Sequence, residues 1–107
     1  MKVNILGTKY EIKLVKEDPN LKDGDGYCDT SVKECVVEDM SSHENSIGAK
    51  KDLKNYQRQV IRHEILHAFL YESGLEGNSW AINEEMVDWL AIQFPKIEKA
   101  FREVGCI

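Results

Sequence analysis

The chain has 107 residues, 42% hydrophobic and 31% charged, with a formal net charge of −5. That length allows one domain with a modest core. The acidic balance, without a dense Lys and Arg cluster, argues against nucleic acid as a partner. No run approaches the roughly 18 consecutive apolar residues of a membrane span. Residues 1–14 also lack the apolar stretch of an export signal, so the expected setting is cytoplasmic, with no membrane partner.

Residues 1–15 read as two short strands: Val3 and Ile5, then Tyr10, Ile12 and Leu14, fall at period two around a turn at Gly7-Thr8. Residues 17–26 are turn chemistry, rich in Pro, Asp, Asn and Gly. Asp23 and Asp25 there fall outside the full register of a calcium loop. Residues 27–39 read as a hairpin turning at Thr30-Ser31, with Lys33 to Val37 as its second arm. Cys28 and Cys35 can face each other across it. An odd cysteine count without an export signal points instead to reduced thiols, packed as small hydrophobes. Residues 40–51 are polar and read as a loop holding His43.

From about residue 49 to 73 the period changes to about 3.6. Leu53, Tyr56, Val60, His63, His67 and then Leu70 or Tyr71 form one stripe. Between Val60 and Leu70 the other positions are largely apolar, which predicts a helix buried nearly all round, stopped by Gly74. Within it lies His63-Glu64-Ile65-Leu66-His67, an H-E-x-x-H pattern. Residues four apart share a helix face, so His63 and His67 can offer two imidazole nitrogens to one metal ion. Glu64 sits one step round the helix, placed to handle an activated water rather than the metal.

A second helix is expected to begin between Ser79 and Glu84, with Asn83 a plausible N-cap and Val87, Leu90, Ala91 and Phe94 its apolar face. Pro95 is expected to stop or kink it and open a last, C-terminal helix with Ile97, Phe101 and Val104 inward. Two histidines hold catalytic zinc poorly, since such sites use three protein ligands. The second helix offers Glu84, Glu85 and Asp88. Glu84 and Asp88 lie one turn apart on one face, so Glu84 can coordinate while Asp88 fixes the tautomer of a ligand histidine. Glu85 points elsewhere. Favourable charge at a helix N-terminus explains the glutamate but not the matched spacing.

HEILH followed by NEEMVD resembles the gluzincin branch of zinc metallopeptidases. With the preceding small sheet and Gly26, Tyr27 and Asp29 in a hairpin, the chain is similar to the ImmA/IrrE-like metallopeptidases and to short phage and prophage HExxH proteins. The resemblance spans about residues 26–95. It implies zinc held by His63, His67 and Glu84, with Glu64 as general base and Asp88 behind a ligand. The implied phage protein works in a bacterial host cytosol and takes a peptide or protein substrate. The expected fold is α+β: one minimal zincin-like domain over residues 1–107, with a small, mostly antiparallel N-terminal sheet packed on the active-site helix, a second helix and a C-terminal helix.

In the expected peptide hydrolysis Glu64 takes a proton from the attacking water and later gives it to the leaving amine. Tyr71, Tyr27 and His43 are candidate donors to the oxyanion. The strand from Lys33 to Val37 is a candidate partner for an extended substrate backbone. The alternative is a zinc-stabilised, catalytically silent interaction protein.

Overall fold

Two hairpins and two long helices make up the computed structural model, which describes residues 1–21, 24–43 and 51–107, without the side chains of Ser42 and His43. The first hairpin pairs β1 (Lys2–Ile5) with β2 (Thr8–Val15). Leu6 and Gly7 turn it with φ of 50° and 92°, the two-residue geometry whose twist matches its flanking strands. The second pairs β3 (Gly26–Asp29) with β4 (Glu34–Glu38), also antiparallel. The sheet order is β1-β2-β4-β3, and the two hairpins join through a parallel β2–β4 pairing. The sheet is therefore mixed. Period-two patterning identifies each hairpin, but nothing local dictates that their inner strands run parallel.

This order also corrects the expectation for Lys33 to Val37. Strand β4 is flanked on both sides, and the edge strand of the second hairpin is β3. Leu14, the last apolar residue of the period-two pattern, is 42% exposed. The β1 register ends at Glu11 and Met1 bonds Ile12, so beyond them β2 has no strand partner on that side among the described residues.

Helix α1 (Leu53–Glu72) crosses one face of the sheet; Asp52 caps it by accepting from the Asn55 N–H at 3.1 Å, and Gly74 at φ 81° follows its end. Ile5, Tyr10, Ile12 and Cys35 pack around Ala68, while Val37 and Met40 pack around Val60. Met40 opens a 3-10 turn, Met40–His43, and is buried, so the expected loop begins with a core residue. Residues 44–50 of that loop lie outside the described residues, as does Asp23.

The expectation of a helix buried nearly all round fails: only Val60, Glu64 and Ala68 of α1 are buried, while Phe69 and Tyr71 are about two-fifths exposed. The four strands and one further long helix of the described residues cannot surround it. At its C-terminal end Glu72 accepts from the Tyr10 hydroxyl and the Lys33 ammonium, both at 3.1 Å, tying helix to sheet.

Helix α2 (Glu84–Glu103) is a single run of 20 residues with Pro95 inside it, so no separate C-terminal helix exists. A proline lacks the N–H that would bond the carbonyl four residues back. Here that carbonyl is Ala91's, and the Arg62 Nε of α1 donates to it at 2.7 Å. The helix continues beyond the cover of α1, which leaves Phe101 45% and Val104 77% exposed rather than inward. Its packing face is Val87 and Ala91, both buried. No helix among the described residues is long and apolar enough to cross a membrane.

Candidate metal centre

Helical spacing places His63 and His67 on adjacent turns of α1 with ring centroids 4.8 Å apart. The third group arrives on α2. Asn83 fixes where that helix starts by accepting from the Met86 N–H at 2.8 Å, so Glu84 is its first residue. The small, buried Ala91 lets α2 lie close against α1. Glu84 then sets Oε2 3.0 Å from His63 Nε2 and Oε1 2.8 Å from His67 Nε2. The two Nε2 atoms are 3.1 Å apart. Among the described residues, this trio is the group of ligating side chains whose donor atoms converge, all within 4.8 Å of one another.

Asp88, one turn along α2, puts Oδ1 3.2 Å from His63 Nδ1. A proton on Nδ1 donates to that carboxylate and leaves Nε2 as an acceptor. That acceptor faces a second imidazole nitrogen and two carboxylate oxygens. Acceptors packed this closely repel unless a proton or a cation lies among them. Two imidazoles and a carboxylate are also the donor set of catalytic zinc, so the residues fit that ion. Burial lowers the pKa of His67, partly offset by Glu84, and so favours the neutral ring that a metal requires.

Glu64 is the buried charged residue of the core, 6% exposed. Burial pushes its carboxyl up to about 7; His63 opposes this and Glu84 adds to it. The strand above it is held close by Gly26, where a Cβ would come within 3.0 Å of both the Val36 carbonyl and Val60 and 3.2 Å of Glu64. A cleft of about 330 Å³ opens beside the histidines, bordered by Gly26, Cys28, Thr30 and Glu76. A second hollow, about 210 Å³, adjoins it across Gly26 and Glu64 and is bordered by Asp25, Tyr56 and Asp88. Together they form a groove along the outer edge of β3.

Neither tyrosine among the candidate oxyanion donors brings a free hydroxyl to this groove. Tyr71 is 40% exposed, away from the groove's lining, with the Lys33 ammonium 4.8 Å over its ring. Tyr27 borders the cleft, but it alternates with Gly26 and Cys28 to the far face of the sheet, where its hydroxyl donates to Asp18 at 3.0 Å. The side chain of His43 lies outside the described ones. Glu85 takes no part in the trio. Sequence reasoning placed Tyr56 on the α1 stripe but not at the site; burial, and then the hydrogen bond its hydroxyl donates to Asp25, push that hydroxyl up to about 12. It missed Glu76, which follows the end of α1 with no periodic signal to mark it. Comparison with family models, with curated proteins and with solved structures finds no match for this chain.

Proposed function

We propose that the protein is a zinc-dependent metallopeptidase of gluzincin type, acting on a peptide or protein substrate in the cytoplasm. The observation that carries this reading is the convergence of His63, His67 and Glu84 beside the buried carboxyl of Glu64. His63, His67 and Glu84 would hold zinc, and Asp88 would keep His63 in the tautomer that presents Nε2. When bound, zinc acidifies water and polarises a peptide carbonyl.

The chain's own residues do the rest. Glu64, with a carboxyl poised near neutrality, accepts the proton of the attacking water on an Oε atom and returns it to the leaving amine. The outer edge of β3 has no strand partner among the described residues and runs beside His63 and Glu64. An extended peptide can add to it through main-chain hydrogen bonds, which would lay a scissile bond across the groove.

The test is Glu64→Gln. Wild type is expected to carry about one zinc per chain and cleave an unfolded protein; the variant is expected to keep the zinc and lose cleavage by at least about a hundredfold. Cleavage by Glu64→Gln at the wild-type rate would remove the general base. One observation favours the silent, zinc-stabilised interaction protein: neither tyrosine candidate offers the groove a free hydroxyl. Wild type that binds zinc yet leaves every unfolded substrate intact would select that alternative.

A further inference from the structure

We propose that Cys28 and Cys35 are a reversible thiol–disulfide pair built into the wall of the metal cleft. The two residues stand directly opposite each other in the β3–β4 register. Just beyond the paired segment, the Glu38 N–H bonds the Asp25 carbonyl at 2.8 Å. Hydrogen-bonded and non-bonded pairs alternate along an antiparallel ladder, so Cys28 and Cys35 fall at a non-hydrogen-bonded pair, where Cα atoms approach to about 4.5 Å. A disulfide spans Cα separations of roughly 4.4–6.8 Å. The sulfurs already lie 3.8 Å apart, so rotation about the side chains closes the bond while both strands keep their register.

The two thiols differ in the way a sensing pair requires. Cys28 is partly exposed and borders the cleft beside His63 and His67, so a small oxidant can reach it. Cys35 is fully buried, with Sγ 3.5 Å from the carbonyl oxygen of Glu64. Its hydrogen bond to Cys28 and its burial raise its pKa, and the partial exposure of Cys28 at the cleft makes that sulfur the one a peroxide meets first. Cys106, the remaining cysteine, is exposed near the end of the chain and serves as an internal control.

The oxidant is a peroxide. The Cys28 thiolate attacks one peroxide oxygen, the O–O bond breaks, and the departing hydroxide takes the proton Cys28 gave up. Cys28 is then a sulfenic acid. The Cys35 sulfur attacks that sulfur, forms the S–S bond and displaces the second oxygen, which leaves as water with the Cys35 proton. Two thiols and one peroxide become one disulfide and two waters, and a dithiol reductant reverses the change. Closure draws Cys28 toward Cys35 and removes the thiol hydrogen beneath the Glu64 carbonyl, so the cleft wall carries the record of oxidation.

The experiment reads the sulfurs themselves and is therefore independent of whether the protein cleaves peptides. The full chain is treated with hydrogen peroxide, free thiols are alkylated, and peptides are mapped by mass spectrometry with and without dithiothreitol. The expected result is a Cys28–Cys35 cross-link that dithiothreitol removes, with Cys106 alkylated throughout. Cys106→Ser keeps the cross-link. Cys28→Ser, at the partly exposed position, abolishes it without emptying the core. Cross-linking of Cys28 to Cys106, links between chains, or alkylation of both Cys28 and Cys35 after Cys106 has oxidised would each overturn the proposal.

Discussion

Glu64 is where chemistry and stability pull against each other. A glutamate that takes a proton from water works best with a pKa near neutrality, and burial beneath β3 supplies that shift. The cost falls on the metal-stripped protein. Its folded carboxyl holds the proton up to about 7, whereas the unfolded one releases it from 4.5. Between those values the folded state binds more protons, so stability falls as pH rises through the window and stays lower above it. The shift corresponds to at most roughly 3 kcal/mol. Glutamine in the same place carries no charge to bury. Denaturant unfolding of metal-stripped protein at pH 5 and pH 8 should therefore show wild type losing part of its stability at the higher pH. Glu64→Gln should lose less and be the more stable of the two at pH 8. An equal decline in both proteins would show that Glu64 is not buried as a neutral acid.

At the scale of the element, the lesson is in α2. Read along the chain, Pro95 ends a helix, because its own N–H is missing and its ring crowds the preceding turn. The helix runs on because Arg62, from a different element, donates to the Ala91 carbonyl that Pro95 leaves unbonded. No pattern within α2 announces that partner. By contrast Asn83, Gly74 and the steps from His63 to His67 are legible, because caps and helical spacing are local rules. The interaction yields a double-mutant test. Arg62→Ala should destabilise by about 1.5–3 kcal/mol, as loss of a charged hydrogen bond does. In a Pro95→Ala background the restored N–H takes the same carbonyl, and Arg62→Ala should then cost clearly less. Costs that add to within about 0.5 kcal/mol would mean that Arg62 and Pro95 act separately.

On the scale of the whole molecule, the site is a joint between two layers. His63 and His67 belong to the helix that lies on the sheet, and Glu84 and Asp88 to a helix whose main packing among the described residues is on α1. The donors were readable from spacing within each helix. The groove beside them was not, because it depends on the parallel β2–β4 pairing that swings the second hairpin over α1 and makes β3, not β4, the edge. That geometry makes the proposed ion a clamp between the helices as well as a reagent. An ion that binds only the folded chain stabilises it by about 2.7 kcal/mol at a hundredfold excess over Kd. In a domain of this size each kcal/mol moves Tm by roughly 4–8 °C, so zinc should raise Tm by on the order of 10–20 °C. Glu84→Ala should forfeit most of that rise while leaving the metal-stripped Tm nearly unchanged, since its side chain is 70% exposed. His63→Ala should forfeit the rise as well. Melting curves that zinc and chelator leave in place for the wild-type chain would remove the metal centre, and with it the hydrolytic reading.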